Sequence, residues 1–315
     1  MQKFPNNIIC GDCIEVLTRV EEPFADLVFA DPPFNIGHKY DKYYDKRKRE
    51  NYIAWTKDWM TACKKVLKPA GSFYIAIGDE YAANVKIIAD ELQLFMRNWI
   101  IWHYTFGQQT KNKFARAHTH IFYFVKDTKN FTFNDYAVRV PSDRQLIYND
   151  RRANPAGKMP DDVWTEFSRV CGTFKERAGW HPCQMPESLL KRIIAVSSNP
   201  GDCILDPFSG SGTTAAAAYQ LARDYVAIEV SERYVENARK RLSQLKKQRA
   251  ASFFFNTAEL NELRRLLADM RKSPSQIAPD KNLLNLITNQ FTVRMNNARQ
   301  YNPEEVVMAL KDLAD

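Results

Sequence analysis

The chain has 315 residues, 45% hydrophobic and 26% charged, enough to bury a full α/β core and still carry an accessory module. Its formal net charge of +8 is compatible with a polyanionic partner without establishing one. No apolar run approaches bilayer length and the opening residues 1–7 are too polar for a signal peptide, which argues against a membrane protein and for a cytoplasmic location.

From Ile8 to Lys126 short apolar runs alternate with amphipathic ones, as in a doubly wound sheet. Strands are predicted at Ile8–Cys10, Ala25–Ala30, Ser72–Ile77, Trp99–Tyr104 and His120–Val125. Helices are predicted at Ile14–Val20, Tyr52–Leu67 and Glu80–Leu92, with Lys68, Pro69, Ala70 and Gly71 as a stop after the second. Between the second strand and that helix, Lys39, Lys42, Lys46, Arg47, Lys48 and Arg49 are interleaved with Tyr40, Tyr43 and Tyr44. Cations among rings suit a phosphate backbone and unstacked bases, although an ordinary solvated loop has the same composition. Alternation fails from Asp127 to Ala178, which reads as an insertion.

A second α/β portion follows, with a helix after Pro186, a strand at Cys203–Leu205, a helix from Thr213, a strand at Tyr225–Glu229 and a helix from Ser231. Neither portion has enough strands to stand comfortably alone, so the two are expected to complete one sheet. Helical spacing returns in Leu260, Leu263, Leu266, Leu267 and Met270 and again over Val306–Leu313, as packing stripes with no sign of a site. The expected organisation is a core half at 1–126, an insertion at 127–178, the other core half at 179–247 and a helical extension at 248–315.

Two motifs carry chemistry. Asp31, Pro32, Pro33 and Phe34 close the apolar strand Ala25–Ala30, at the carboxyl end where open α/β sheets keep their ligands. Asp206, Pro207, Phe208, Ser209, Gly210, Ser211, Gly212, Thr213 and Thr214 form a glycine-rich strand-to-helix turn, which lets the backbone approach a cofactor. Glu229 ends the next strand, where a ribose-binding carboxylate belongs in a mononucleotide unit. The turn lacks the third glycine of the dinucleotide fingerprint, which disfavours a nicotinamide oxidoreductase. Asp12 can meet a cofactor amine or serve as an N-cap, and the residues leave both readings open.

An exocyclic amine is a poor nucleophile because its lone pair is delocalised into the ring. Acceptors on its hydrogens favour the pyramidal, localised form and stabilise the charge that develops during transfer. Asp31 can supply one acceptor and the Pro32 carbonyl another, on a backbone that proline restricts, while Phe34 offers a stacking face. His118 and His120 share one strand face, but with no third ligand apparent, and with the six cysteines scattered, no metal is expected. Trp164 reads equally as a DNA contact or a buried anchor.

In this order the motifs resemble the beta group of DNA amino-methyltransferases, which depend on S-adenosylmethionine and carry the DPP(Y/F) corner before a target-recognition insertion and the cofactor motifs. The resemblance extends over Ile8–Leu242 and includes Phe114–His120 and His181–Glu187. It implies a Rossmann-like methyltransferase core, an α/β doubly wound and mostly parallel sheet in permuted motif order. It also implies Asp31, Pro32 and Phe34 at the target base, and Asp12, His181, Asp206, Phe208, Gly210, Gly212, Thr213 and Glu229 around the cofactor. Met185 stands where many relatives have lysine, and Phe34 replaces a commoner tyrosine but can still stack.

The implied activity is methylation of adenine N6 in duplex DNA by base flipping, with the 35–51 loop closing over the extruded base. Asp31, where cytosine-N4 enzymes often carry serine, favours adenine; cytosine N4 is the alternative, and an idle DNA-binding protein of the same fold is a remoter one. A homodimer is implied by the family alone, and a cognate restriction endonuclease would belong to the same system without being a necessary physical partner.

Overall fold

The alternation resolves into a mixed eight-stranded sheet. The computed structural model describes residues 5–108, 110–154, 156–174, 176–251, 255, 257–295 and 301–313. In chain order the elements are β1 (Asn7–Cys10), α1 (Cys13–Thr18), β2 (Ala25–Ala30), α2 (Arg49–Val66), β3 (Leu67–Ile77), α3 (Asp79–Glu91), β4 (Phe95–Gln108) and β5 (Arg116–Val125). There follow α4 (Asp143–Leu146), β6 (Val163–Trp164), α5 (Glu187–Ser197), β7 (Cys203–Asp206), α6 (Thr213–Gln220), β8 (Asp224–Glu229) and α7 (Glu232–Ala251). The last are α8 (Thr257–Met270), α9 (Pro274–Ile277), α10 (Lys281–Arg294) and α11 (Pro303–Asp312).

The strand order is β1-β8-β7-β2-β3-β5-β4-β6. From β1 to β3 every pair is parallel, and β5 runs antiparallel to both β3 and β4. The two α/β portions thus meet where β2 pairs with β7, as Val28 faces Leu205. Ala25, Leu27, Val28, Phe29 and Ala30 are all buried, as a parallel strand covered on both faces requires. Helices α2 and α3 pack Trp59, Met60, Cys63, Val85 and Ile88 into the same core.

The chain divides into two compact units, one holding residues up to Thr132 with Asp162–Gln244 and the other holding Phe133–Asp161 with residues from Leu245 onward. The expected 127–178 insertion is therefore divided. Its later part belongs to the first unit because Trp164 is a buried anchor: β6 pairs with β4, Trp102 Nε1 donates to Phe167 O at 2.7 Å, and the Arg192 guanidinium lies over the Trp164 and Phe167 rings. In the second unit a single 3-10 turn, Asp135–Ala137, packs on α10. The leucine stripes there bury Leu263, Leu266, Ile287, Phe291 and Leu310, and Tyr301 donates to Glu259 Oε1 at 2.6 Å.

Strand β3 begins at Leu67, where a loop was expected before Ser72. The Lys68–Gly71 stretch is extended and spans a register shift against β2, and Lys68 Nζ binds the Asp26 carboxylate at 2.8 Å. A proline at the start of a strand beside such an irregularity leaves no ladder hydrogen bond missing. Among the described residues no helix is long and apolar enough to cross a membrane.

Candidate active site

The parallel ladder brings four acidic residues to one edge of the sheet. Asp31 follows β2, Asp206 ends β7, Glu229 ends β8 and Asp12 follows β1, with Leu205 opposite Val28 and Cys10 opposite Glu229. They line one cavity of about 690 Å³ in the first unit, within the range of small-molecule sites. Pro32, Phe34, His181, Phe208, Gly210 and Thr213 line it as well. Of the residues expected in the site, only Gly212 lies off this wall.

Gly212 packs against α7. It caps α6 with φ +71°, and a β-carbon there would lie 2.8 Å from Ala238 Cβ on α7. Gly210, at φ +47°, faces the cavity beside His181, whose Nε2 would be 2.8 Å from a β-carbon at that position. Both glycines hold left-handed backbone that other residues rarely adopt.

The Asp-Pro-Pro-Phe corner is held from below. Tyr52 on α2 donates to Pro33 O at 2.6 Å and packs on Tyr81 of α3, ring centroids 4.3 Å apart. The Phe34 ring rests on Gly78, where a β-carbon would come within 3.2 Å of it. Asp31 has no hydrogen-bond or cationic partner among the described residues, and neither does the Pro32 carbonyl. Burial, and then the charge of Asp206, push the Asp31 carboxyl up to about 7. Asp206 is also pushed up to about 7, by burial, with Thr214 and the Phe208 N–H opposing.

The loop that follows is tied to the corner by Asp45, an acid the sequence hid among cations. Its fully buried carboxylate accepts the Asn35 N–H at 2.8 Å and the Ile36 N–H at 3.1 Å. Asn35, at φ 59°, bonds Arg47 O, the Arg47 N–H and Tyr81 Oη. On the far side of the cavity, Ser231 Oγ donates to Asp41 at 2.6 Å, and Arg233 pairs with the same carboxylate. Arg47 lies over the Tyr43 and Trp55 rings, so this cation is stacked as well as solvated.

The opposite wall could hold a nucleoside. Glu229 accepts Gly210 N–H through one oxygen and Ser231 N–H through the other, both at 2.9 Å, leaving further lone pairs for hydroxyl donors. Asp12 caps α1, accepting from Ile14 N–H at 2.8 Å, and also lines the cavity. Phe208 stands edge-on to Trp59 at 5.2 Å. Burial lowers the His181 imidazole to about 4, so it stays neutral at pH 7. A brace that no sequence signal marked lies behind the turn. Arg241 of α7 donates to Ser211 O at 3.2 Å, Thr213 Oγ1 at 3.0 Å and Glu187 Oε2 at 3.1 Å.

The structure supplies the third group that His118 and His120 lacked in sequence. Asp79 Oδ1 lies 3.4 Å from His118 Nε2 and 3.2 Å from His120 Nε2. Trp99 Nε1, which can only donate, reaches His120 Nδ1 at 2.9 Å. A neutral His120 therefore carries its proton on Nε2, facing Asp79, and the other Asp79 oxygen is held by Arg116 Nε at 2.9 Å. This donor pattern opposes a metal at Nε2.

A family model described as DNA methylase, for N6 and N4 methylation, matches residues 25–240. The type II methyltransferase M.HpaI of Haemophilus parainfluenzae is 38% identical over 236 residues, covering 75% of this chain and 73% of that protein. The DNA adenine methyltransferase YhdJ of Escherichia coli K12 is 39% identical over 245 residues, covering 75% and 82%. The fold is that of the cytosine-N4-specific PvuII DNA methyltransferase, at a TM-score of 0.60 and 21% identity over 75% of this chain and 85% of the other. It is also that of M1.HpyAVI solved with S-adenosylmethionine, at a TM-score of 0.53 and 21% identity over 75% and 98%. The positive-φ glycine facing His181, the carboxylates at the strand ends and the proline corner share one cavity, and the chain belongs to the S-adenosylmethionine-dependent DNA N6/N4 methyltransferase family.

Proposed function

We propose that the protein methylates the N6 amine of adenine in duplex DNA, with the base flipped into the corner formed by Asp31, Pro32 and Phe34. The observation that carries this reading is the Asp31 carboxylate and the Pro32 carbonyl, both without a hydrogen-bond partner among the described residues, in one cavity with the glycine-rich turn. Asp12, His181, Asp206, Phe208, Gly210, Thr213 and Glu229 would hold the cofactor. The turn fits it through the close backbone approach at Gly210 and the acceptors on Glu229. Bound S-adenosylmethionine supplies an electrophilic methyl group on a positively charged sulfur.

The chain's own residues then do three things. Phe34, backed by Gly78, stacks the base and sets its plane. Asp31 and Pro32 O accept the two amine hydrogens, localising the nitrogen lone pair and stabilising the positive charge that grows on N6. Asp31 also holds the proton that the amine sheds, a task suited to a carboxyl pushed up to about 7. Proximity and charge placement account for the rate without a covalent enzyme intermediate.

Adenine is favoured by the acid at position 31 and by a relative at 39% identity named as an adenine methyltransferase. Cytosine N4 is the second reading, because the matching family model spans both amines and the PvuII methyltransferase of the same fold is cytosine-N4-specific. Residues 127–178, rich in Asn, Asp and Arg, would select a short site, and the reading locates the protein in the cytoplasm with its DNA. The test is incubation with unmethylated duplex DNA and methyl-labelled S-adenosylmethionine, beside Asp31→Ala, followed by nucleoside analysis. Labelled N6-methyladenine that is lost in the variant is the expected result, and N4-methylcytosine would overturn the choice of base.

A further inference from the structure

Arg116 opens β5, and because that strand runs antiparallel to β3, its first residues lie at the edge where Asp31 and Phe34 stand. Its guanidinium pairs with one carboxylate among the described residues. Nε binds Asp79 Oδ2 at 2.9 Å, and Asp79 is itself fixed by His118 and His120. The terminal nitrogens have no hydrogen-bond partner among the described residues. One of them lies on the same stretch of cavity wall as the stacking ring: a β-carbon at Gly78 would be 3.2 Å from Phe34 Cδ2 and 3.8 Å from Arg116 Nη1. Phe34, Gly78 and Arg116 all line the cavity, so ring and guanidinium flank Gly78 on its wall.

An arginine so placed is a preorganised fork, because the Asp79 contact orders part of its long side chain before any ligand arrives. A guanidinium has five donors and no acceptor, so it cannot take the amine that Asp31 and Pro32 receive. It can take what those acceptors cannot, the ring nitrogens on either side of that amine. We infer that Arg116 binds the edge of the flipped purine, its terminal N–H groups donating to a ring nitrogen, N1 or N7, of the adenine stacked on Phe34. This rests on the reading of the protein as an adenine methyltransferase, and it assigns Arg116 to the target base.

The test crosses an atom deletion in the base with a deletion in the protein. Duplexes carry adenine, 1-deazaadenine or 7-deazaadenine at the position the wild-type enzyme methylates, and kcat/KM and duplex affinity are measured for wild type, Arg116→Ala and Arg116→Lys. One deaza duplex should cost the wild type about tenfold or more, within the span of good side-chain to base pairs. The same duplex should cost Arg116→Ala no more than about twofold, and lysine, without the fork, should restore little. Equal losses in wild type and variant on both deaza duplexes overturn the inference. Coupling to a methylphosphonate beside the target, in place of the deaza duplexes, overturns it in favour of a phosphate contact. Unchanged thermal melting and cofactor affinity of Arg116→Ala separate the result from misfolding. Absence of transfer to adenine by the wild type refutes the underlying reading first, whereas transfer with no coupling refutes the role of Arg116 alone.

Discussion

Asp31 and Asp206 stand at the ends of the adjacent strands β2 and β7, and the charge of Asp206 is, after burial, the second cause of the raised Asp31 carboxyl. The dependence between these two acids gives a testable titration. Asparagine at 206 removes the neighbouring negative charge, so ionised Asp31 becomes easier to form and its midpoint falls below about 7. Carbon-13 NMR of labelled aspartate, in protein free of cofactor, reads this directly. A midpoint that is unmoved or raised in Asp206→Asn would show that the two carboxyls do not sense each other.

The same carboxyls set a stability trend. Both fold with a raised pKa, so between their ordinary value near 3.8 and about 7 the folded state binds more protons than the unfolded chain. Their contribution to stability is therefore complete below that window and is lost as pH rises through it. Denaturant melts of the cofactor-free protein should show the loss between pH 4 and 7 shrinking in Asp31→Asn, relative to wild type. A loss as steep in the variant as in the wild type would place the titration elsewhere.

Much of this site was legible in the sequence because its parts are backbone devices. A strand that ends in Asp-Pro-Pro-Phe, or a turn with Gly210, announces itself through residues with restricted or unusual dihedrals, and those residues fell on the cavity wall. Gly212 shows the limit: a glycine that lets a cofactor approach and one that lets a helix approach look alike until Ala238 is seen 2.8 Å from its missing β-carbon. Asp45, Asp79 and Arg241 were not legible at all. Each acts through partners distant in sequence, and an acid among lysines, or an arginine on a helix, reads first as a solvated charge. The division of residues 127–178 was hidden for the same reason, since Trp164 is recognisable as an anchor only when β4 and Arg192 are beside it.

Gly210 makes the cofactor turn easy to test. Alanine there would force its methyl to within 2.8 Å of His181 Nε2 and place an L-residue at φ +47°, a conformation that costs about 1–2 kcal/mol. The expected outcome is a rise in the KM for S-adenosylmethionine of about tenfold or more. Calorimetric titration with the cofactor checks it. Full affinity in Gly210→Ala would mean that the turn relaxes freely.

The Asp45 anchor separates loop order from chemistry. Asp45→Ala strips the acceptor from the N–H of half-buried Asn35, a change worth up to about 1–3 kcal/mol when a donor is left unsatisfied, and from that of Ile36, an exposed residue that water can serve. The loop from Asn35 to Arg47 should loosen, so that in the absence of DNA trypsin cuts after the exposed Lys39, Lys42 and Lys46 faster than in the wild type. If the loop closes over the extruded base, cognate duplex should slow cutting of the wild type further, and equal cutting with and without DNA would end that idea.

Arg241 offers the sharpest separation of binding from catalysis. It reaches the glycine-rich turn from behind, through Ser211 O and Thr213 Oγ1, and its guanidinium is paired with Glu187, which also binds Lys191 at 2.8 Å. The cluster is mostly buried, so removing the arginine leaves Glu187 with one cation, and breaking such a pair costs about 3–5 kcal/mol at the upper end. Because neither Arg241 nor Glu187 lines the cavity, the Asp31 corner is left intact. Arg241→Ala should therefore raise the KM for S-adenosylmethionine by about tenfold or more while kcat at saturating cofactor falls far less, and Arg241→Lys should recover part of the affinity through a single donor. Glu187→Gln, which keeps an acceptor for the arginine, should behave more mildly than Arg241→Ala. A fall in kcat alone, with cofactor KM unchanged, would mean that Arg241 does not act through the turn.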